Sequence, residues 1–371
     1  MKLVNRFGSG EIYSEEELTH DMSLGGVAKI YMHSTACLSV TSDLMSWTSS
    51  KRYKDKVVVV DVNRPGYNNV IIVLGCQVTD LAILNDIRTI ERLHSENPKA
   101  TVYVGGCLAY RFDIELPSYV RRLEALRTEN FEISDRGMKA VHWEKPFWVD
   151  PKEFDECDDE LGDGKLFRDM YPLKVGAGCS NNCAYCTIRD TRGKGYEVDA
   201  YLQVQEFLNH DNVVIVSDNP TAKQIKDWCS LAVRYNKPIS FRNVEPEVVC
   251  ECAYELLDLA QFGLLNILHS PIQTPDLGLL KKMNRSPNAV VHFMGIAGHL
   301  RSSGVIVATN VIVDYTVKNP DGSIKNYGYP DVDWLNRHFD YWSWNPYFDG
   351  HWDYDKAIER WNKYMPNKIE K

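Results

Sequence analysis

The feature that most constrains the fold is a repeated alternation of short β-branched runs with amphipathic segments of helical periodicity. In the first half, runs such as "KVVVVDV" and "NVIIVLG" lead into turn-forming or small residues, and residues 79–97 carry apolar side chains at helical spacing. A second alternation of about five strand–helix steps begins near residue 171. Strand, helix and strand in this order predict mostly parallel sheets. We therefore predict an α/β protein in which an N-terminal open parallel sheet domain precedes a partial (β/α) barrel.

Shifts in composition divide the chain into five predicted segments. They are a polar N-terminal extension (1–27), the core of the α/β domain (28–111), a charged connecting region (112–170), the partial barrel (171–317) and an acidic, aromatic C-terminal segment (318–371).

The overall composition excludes several classes of protein. A formal net charge of −9 argues against a protein that coats nucleic acid non-specifically, although a local basic groove is compatible with it. No run of about 18 apolar residues is present, and the N-terminus has no apolar signal core, so we expect a cytoplasmic protein without a membrane partner. In such a protein, ten cysteines favour metal binding or catalysis over disulfides.

Three of these cysteines, Cys179, Cys183 and Cys186, fall within the stretch "GAGCSNNCAYCTIRDTRG". Thiolates are soft ligands that select zinc or iron–sulfur clusters, and a structural zinc site is normally closed by four ligands. No fourth cysteine or histidine lies nearby in the sequence. Three thiolates on a four-iron cube would leave one iron open for a substrate or cofactor. The alternatives are a chance cluster of thiols and a zinc knuckle that lacks a ligand.

Three further cysteines, Cys37, Cys76 and Cys107, each follow a predicted strand of the first domain. The carboxyl ends of parallel strands converge on one edge of a sheet, so these thiols could meet in space. The alternative is that each is a buried small hydrophobic residue, as is common for cysteine.

The C-x3-C-x2-C spacing, with an aromatic residue before the third cysteine, resembles the radical S-adenosylmethionine (SAM) superfamily. The order of "TACLSVTSDLM", "IIVLGCQVTDLA", "PKATVYVGGCLAYR", "GCSNNCAYCTIRDTRG" and "LLNILHSPIQTPDLGLLKKMNR" is similar to that of the radical SAM methylthiotransferases. The likeness runs from about residue 28 to about residue 315.

The resemblance implies two 4Fe–4S clusters and SAM as cofactor. One cluster would be held by Cys37, Cys76 and Cys107, and the other by Cys179, Cys183 and Cys186. It also implies a low-potential electron donor such as flavodoxin or ferredoxin. The sequence departs from the family at Val40, where asparagine is usual, and at "KGYEVDA", where a second Arg-Pro is usual. We also expect this chain to lack the family's C-terminal β-barrel (TRAM-type) module.

Three residues are candidates for binding SAM. Tyr185 lies between the last two cysteines, Arg192 lies just past them, and Gln273 belongs to the stretch that resembles the family's His-x-Pro-x-Gln motif. Arg192 could face a carboxylate or phosphate, or be an ordinary surface arginine. Gln273 could reach the polar groups of SAM, or stabilise a turn.

The resemblance implies transfer of a methylthio group to a C–H carbon, most often of an adenosine beside the tRNA anticodon. The alternatives are an aspartate of a ribosomal protein as substrate, another radical SAM reaction with an auxiliary electron-transfer cluster, or a binding protein with structural clusters. For an RNA substrate we predict contacts from basic residues and tryptophans, namely Arg121, Arg122, Lys281, Lys282, Trp334, Trp342 and Trp344.

Overall fold

A computed structural model of the chain describes residues 1–23, 28–49, 57–60, 66, 69–126, 141–143, 166–167 and 170–364. The chain divides into two compact units. The first comprises Met1–Phe147 and Gly350–Lys371, and the second comprises Trp148–Asp349. Most of the predicted connecting region lies outside the described residues.

The first unit begins with a β-hairpin and a helix, β1 (Lys2–Asn5), β2 (Gly8–Glu11) and α1 (Glu15–Ser23). Ile12 and Leu18 are fully buried, and the backbone N–H of Tyr13 donates to the carbonyl of Arg122 at 2.7 Å. Ile12 and Leu18 thus attach this N-terminal segment to the unit, while its other side chains of known burial are exposed or partly exposed.

A parallel sheet forms the core of the first unit. Its elements in chain order are β3 (Ala28–Ser34), α2 (Leu38–Ser49), β4 (Val57–Val60), β5 (Val70–Gly75), α3 (Asp80–Glu96), β6 (Thr101–Gly106), β7 (Val120–Arg122) and β8 (Val141–Trp143). The strand order is β4-β3-β5-β6-β7, and β8 also pairs with β3. All six residues of β5 are buried, as expected for a strand that is covered on both faces.

Helix α3 shows how local sequence sets an element of this unit. The side chain of Thr79 caps its N-terminus by accepting the N–H of Ala82 at 3.1 Å. The helix ends at Glu96, with Asn97 as its C-cap directly before Pro98, because proline disfavours helical geometry in the residue that precedes it. The predicted helix over 79–97 is thus present as 80–96, flanked by its two capping residues.

The second unit contains a six-stranded parallel sheet with helices between the strands. The strands of the unit, six of which form this sheet, are β9 (Tyr171–Lys174), β10 (Gly176–Ala177), β11 (Tyr196–Glu197), β12 (Val213–Val216), β13 (Ile239–Phe241), β14 (Leu265–His269), β15 (Ile306–Val313), β16 (Thr316–Lys318), β17 (Ile324–Asn326) and β18 (Tyr341–Pro346). Its α-helices are α4 (Ile188–Arg192), α5 (Val204–Asn209), α6 (Ala222–Tyr235), α7 (Pro246–Glu251), α8 (Ala253–Gln261), α9 (Leu277–Lys282), α10 (Pro287–Ser302) and α11 (Val332–His338).

The order of the parallel strands is β9-β12-β13-β14-β15-β18, which follows the chain. Two short antiparallel pairs, β10–β11 and β16–β17, lie outside this sheet. Sequential parallel strands connected through helices build an open α/β sheet whose loops after the strands gather at one edge. The α/β fold class predicted from the sequence is confirmed.

Strand β18 belongs to the acidic, aromatic C-terminal segment (318–371). It pairs in parallel with β15, and this makes it the sixth strand of the sheet. Trp342 is 7% exposed and Trp344 is 2% exposed. The prediction that these two tryptophans stack on RNA bases is therefore corrected, because both side chains are buried within the unit.

The last helix, α12 (Tyr354–Tyr364), belongs to the first unit. Arg360 forms an ion pair with Asp80 of α3 at 2.9 Å, and the guanidinium of Arg88 lies 4.9 Å from the ring centroid of Trp361. The C-terminal segment thus contributes to both units. Among the described residues, none of the helices combines the length and the apolar character needed to cross a membrane.

Candidate metal-cluster sites

The second unit carries Cys179, Cys183 and Cys186 on a loop between β10 and α4, after the carboxyl end of β9. All three thiols are partly exposed. We call residues 178–195 the triad loop. In open parallel sheets, ligands bind at the loops that follow the carboxyl ends of the strands. The triad loop is therefore placed where this architecture normally carries its chemistry.

Glycines and a carboxylate hold the start of the triad loop. Gly178 has a φ of +80°, and a Cβ there would lie 2.6 Å from the Cα of Gly195. The N–H of Gly178 donates to the Asp218 carboxylate at 2.7 Å, and the N–H of Cys179 donates to the carbonyl of Gly193 at 3.1 Å. Glycine is required at position 178 because two backbone segments approach each other closely there.

Residues 283–285, which we call the clamp segment, hold the middle of the loop. The N–H of Ala184 donates to the carbonyl of Met283 at 3.0 Å, and the side chain of Asn284 donates to the carbonyl of Asn182 at 2.7 Å. The ring of Tyr185 packs against the apolar cluster that contains Met283. The clamp segment lies about 100 residues from the loop in sequence, so this support is tertiary.

Arg285, the last residue of the clamp segment, is buried and meets four groups at the loop. It forms an ion pair with Glu245, and it donates to the hydroxyl of Tyr185 at 3.1 Å and to the carbonyl of Pro271 at 3.0 Å. Its Nη1 also lies 3.9 Å from the Sγ of Cys183, in a geometry that allows a hydrogen bond to sulfur. A single guanidinium thus connects a thiol of the loop with two neighbouring strand ends.

Burial and the mutual charges of the three thiols affect their pKa values. Burial raises the pKa of Cys186 to about 12, and the charges of Cys183 and Cys179 add to this shift. Burial also raises the pKa of Cys179 and of Cys183, while the positive charge of Arg285 opposes the shift at Cys183. The free thiols are therefore protonated near neutral pH, and a metal that binds them as thiolates must displace protons.

The three candidates for SAM binding all lie in the second unit. Tyr185 packs in the apolar cluster described above. Arg192 forms a buried ion pair with Asp218 at 2.6 Å, an interaction that the sequence did not predict. Gln273 is buried, and its backbone exchanges hydrogen bonds with β15 through the carbonyl of Asn310 and the N–H of Ile312. Their contacts with SAM stay predictions.

Backbone strain gathers at one edge of this sheet. Asn243, Gln273 and Asp314 have φ values of +60°, +70° and +54°, and they follow β13, β14 and β15. Asn and Asp tolerate this conformation, whereas at Gln273 it costs about 1–2 kcal/mol. Such strain is concentrated at functional sites in proteins. The carboxyl edge of three neighbouring strands therefore carries a feature that sequence periodicity did not reveal.

The first unit brings Cys37, Cys76 and Cys107 to the ends of three adjacent strands, β3, β5 and β6. Burial raises the pKa of Cys76 well above its usual value, and the charges of Cys37 and Cys107 raise it further. The three thiols, which we call the strand-end thiols, are therefore near enough to interact. The sheet has thus brought together residues that are 39 and 31 positions apart in the chain.

A buried carboxylate connects two of the strand-end loops. Asp86 of α3 accepts the backbone N–H of Cys76 at 2.7 Å with one oxygen, and its other oxygen accepts the hydroxyl of Thr35. A Cβ at Gly75 would lie 2.7 Å from the first oxygen, so glycine gives the carboxylate room to approach. Asp86 thereby ties the loop of Cys76 to the segment just before Cys37.

Close packing also surrounds Cys107. Gly106 has a φ of +70°, and a Cβ there would lie 2.7 Å from the carbonyl oxygen of Gly75 and 3.0 Å from Val40. Val40 lines a small pocket at this end of the sheet. The other pocket residues are Asp43, Leu44, Leu74, Gly105, Gly106 and 123–126.

Four supporting residues were not found from the sequence, namely Asp86, Asp218, Glu245 and Arg285. Arg285 follows Lys281 and Lys282, which are predicted to contact RNA, but unlike these two exposed lysines it is buried. In the described ranges, no group of three or more His, Cys, Asp or Glu side chains is arranged to hold a single metal ion.

No protein-family model matches the chain. It is 31% identical over 166 residues to a ribosomal protein uS12 methylthiotransferase of Clostridioides difficile strain 630, which covers 41% of this chain and 37% of the relative. It is 22% identical over 267 residues to a tRNA-2-methylthio-N(6)-dimethylallyladenosine synthase of Thermoanaerobacter sp. strain X514, which covers 64% of this chain and 54% of the relative. The chain resembles methylthiotransferases in sequence. This confirms the predicted resemblance, and the chain spans between about a third and a half of the length of these two relatives.

A solved structure was also found to be similar. The radical S-adenosylmethionine methyltransferase TsrM from Kitasatospora setae, with cobalamin and an iron–sulfur cluster bound, matches with a TM-score of 0.46 at 11% identity. The match covers 79% of this chain and 71% of the TsrM chain.

Proposed function

We propose that the protein is a radical SAM methylthiotransferase that carries two 4Fe–4S clusters. One observation carries this proposal. Two separate sets of three thiols stand at the carboxyl edges of two parallel sheets, in a chain that resembles methylthiotransferases. The triad loop would hold the cluster that binds SAM, and the strand-end thiols would hold the second cluster. A low-potential flavodoxin or ferredoxin would supply electrons.

The donor sets fit these groups. A four-iron cube puts each thiolate on a different iron, so its ligands stand further apart than the ligands of a single ion. Thiolates are the usual ligands of such clusters. Three thiols close to one another, as the mutual effects on the pKa of Cys186 and of Cys76 indicate, supply three of the four positions. The fourth position is left for SAM in one site and for sulfur in the other.

The chain's own residues would bind, orient and shield these groups. When bound, the clusters supply the electron that splits SAM and an iron that carries the transferred sulfur. Asp218 and the clamp segment fix the two sides of the triad loop. Gln273, held at a positive φ against β15, presents an amide at the same edge of the sheet. Bound SAM and substrate would have to cover the partly exposed thiols and exclude water from the reacting groups.

We favour an adenosine of tRNA as the substrate. The longer alignments support this choice, since two relatives named as tRNA-2-methylthio-N(6)-dimethylallyladenosine synthases match 64% and 67% of the chain. Exposed Lys281 and Lys282 could contact phosphates. Arg122 is less suited to this role, because it donates to the carbonyls of Leu108, Ala109 and Ile114 within its own unit.

A ribosomal protein is the second candidate substrate. The relatives of higher identity over shorter alignments are named ribosomal protein uS12 methylthiotransferases, at 28% and 31% identity. The two candidate substrates require different binding surfaces. A tRNA needs cationic side chains that contact its phosphates, whereas a ribosomal protein has no phosphates to contact. Lys281 and Lys282 are therefore the residues whose removal distinguishes them.

The test combines cellular and purified assays. Nucleosides from cells with and without the protein are compared by mass spectrometry for a methylthio-adenosine. Reduced, reconstituted protein is then mixed with SAM, sulfide and either bulk tRNA or a uS12 peptide, with Cys183→Ser as the inactive control. Modified tRNA that is lost with Cys183→Ser supports the proposal. Modification of the peptide alone would assign the protein substrate, and modification of neither would overturn the activity.

A further inference from the structure

The contact between Arg285 and Cys183 has a consequence beyond the support of the loop. The guanidinium lies between a carboxylate, Glu245, on one side and a thiol of the triad on the other. Both charged side chains are largely removed from water, with 3% of the Arg285 side chain and 15% of the Glu245 side chain exposed. Charges in such a place are screened weakly, so they act strongly on any charge that develops next to them.

The two opposite charges do not cancel at the thiol. Arg285 contacts the Sγ of Cys183 directly, whereas the Glu245 carboxylate pairs with another nitrogen of the guanidinium. A thiolate at position 183 therefore experiences a net stabilising field from the pair.

We propose that Arg285 is a positioning residue that stabilises the Cys183 thiolate and thereby raises the reduction potential of the cluster held by the triad loop, with Glu245 limiting this effect. The inference rests on the proposed function, since it requires that the triad binds a 4Fe–4S cluster. Reduction adds one electron to the cluster, and a nearby positive charge or a hydrogen bond to a ligand sulfur favours the more negative state. Arg285 and Glu245 should therefore shift the potential in opposite directions.

A purely structural role for Arg285 makes a different prediction. The guanidinium also bonds the Tyr185 hydroxyl and the Pro271 carbonyl, so its removal could simply loosen the triad loop. Loss of Glu245 would then loosen the same network, because the ion pair orients the guanidinium. Under this alternative both substitutions lower the iron content, and the two variants do not shift the midpoint potential in opposite directions.

The experiment uses the full chain with Cys37, Cys76 and Cys107 replaced by alanine, so that only the triad can bind a cluster. This parent is reconstituted anaerobically, and its iron content, its electron paramagnetic resonance spectrum and its midpoint potential in a dye-mediated titration are measured. The variants are Arg285→Gln, Arg285→Lys and Glu245→Gln. Lys194→Gln is the matched control, because it removes an equal charge from an exposed position of the same loop.

We expect Arg285→Gln to shift the midpoint potential to a more negative value and to change the spectrum of the reduced cluster. Glu245→Gln should shift the potential to a more positive value. Arg285→Lys, which keeps the charge but not the planar fork, should lie between Arg285→Gln and the parent. Lys194→Gln should leave the potential unchanged, because solvent screens an exposed charge.

Equal potentials in all variants that retain iron, or shifts of the same sign in Arg285→Gln and Glu245→Gln, would overturn the inference. If Arg285→Gln loses its iron, Glu245→Gln still tests the inference. A midpoint potential of Glu245→Gln that does not become more positive would contradict the proposal that Glu245 opposes the effect of Arg285. A parent that binds no iron would overturn the cluster assignment itself, together with the inference that rests on it. This outcome is recognised first, from the iron content of the parent.

Discussion

The strand-end thiols are drawn from three strands that lie far apart in the chain, whereas the thiols of the triad lie within eight residues of one loop. In the first unit, the register of β3, β5 and β6 sets the positions of the thiols, so the sheet itself creates the site. In the second unit, the three thiols lie on the irregular stretch before α4, and this stretch depends on the clamp segment, which lies about 100 residues away. A site built by a sheet should be lost together with its fold, while a site built by a loop can be lost alone.

The supporting charges differ as well. A carboxylate, Asp86, binds the backbone beside Cys76, whereas a guanidinium, Arg285, contacts the Sγ of Cys183. An acceptor for a backbone N–H fixes the course of the chain, and a donor to sulfur acts on the ligand itself. Both sites have a backbone donor to sulfur, from Val78 to Cys76 at 3.5 Å and from Asn181 to Cys179 at 3.4 Å. The second site adds a positively charged donor, which acts on a thiolate more strongly than a neutral N–H does.

The largest expected effect comes from removing the thiols of one site at a time. If each unit holds its own 4Fe–4S cluster, the reconstituted protein binds about eight irons, and either triple cysteine-to-alanine variant binds about four. Iron is measured by a colorimetric assay, and circular dichroism checks the fold. Cys250→Ala serves as the control, since this cysteine lies on α7 away from both sites in sequence. Iron that disappears completely in either triple variant would contradict two independent sites.

The next prediction tests the close approach that starts the triad loop. Gly178 and Gly193 have nearly equal φ values, +80° and +78°, but a Cβ would collide with the backbone of Gly195 only at position 178. Both alanine substitutions place a side chain at a positive φ, and the ψ of −171° at Gly193 lies in a region that is populated essentially by glycine, so each should cost about 1–3 kcal/mol. Gly178→Ala should cost about 1–3 kcal/mol more, because the backbone must move to relieve the overlap.

The measurement is the free energy of unfolding, with iron content recorded for each variant. Gly178→Ala should also lower the iron bound by the triad, since the displaced backbone carries Cys179, while the strand-end thiols keep theirs. Equal destabilisation by the two substitutions would mean that the loop has room to adjust. The loop would then be less tightly specified than its contacts indicate.

A smaller effect is expected from Asp86 in the first unit. Asp86→Ala removes the acceptor of the Cys76 N–H, which should cost about 1–3 kcal/mol. Asp86→Asn should cost less, because its oxygen can accept that N–H while its amide donates to Thr35. The hydroxyl of Thr35 can then donate to the carbonyl of Leu74, which already lies 3.0 Å away. Unfolding free energies that are equal for the two variants would exclude this exchange of hydrogen bonds.

The contrast between the sites also explains what could be predicted from the sequence. The triad is a local pattern, and the spacing of its cysteines is visible in eight residues. The strand-end thiols could be predicted because each follows a β-branched run, and parallel strands gather their carboxyl ends at one edge. Hydrophobic periodicity was sufficient for this, since α3 and the strands around it have strong patterns.

The supporting residues could not be predicted because their partners are distant in the chain. Arg285 follows two exposed lysines, and only tertiary packing distinguishes its buried guanidinium from theirs. Strand β18 was not predicted, although the tyrosine and tryptophans of "YWSWNP" favour strands, because no regular alternation of apolar and polar side chains marks it and all six residues are buried. Its pairing with β15 is visible only in the tertiary structure.

The smallest expected effect is that of Asn284→Gly, a change at the exposed member of the clamp segment. Its φ is +56°, and its side chain donates to the carbonyl of Asn182. Asn284→Ala loses this hydrogen bond and also keeps a left-handed backbone that alanine tolerates poorly. Asn284→Gly loses the same bond but relieves the strain. The glycine variant should therefore cost about 0.5–1.5 kcal/mol, the usual worth of one hydrogen bond. The alanine variant should cost about 1–2 kcal/mol more.

The difference between these variants separates the strain at position 284 from the contact that it makes. If the contact supports the triad loop, both variants should release iron from the triad faster under a chelator, and the iron of the strand-end thiols should be unaffected. The first unit provides the internal reference, because its thiols depend on the sheet and not on residues 283–285. Faster release from both sites would show that the substitution acts on the whole protein, and the contrast between a loop-built and a sheet-built site would then fail at this position.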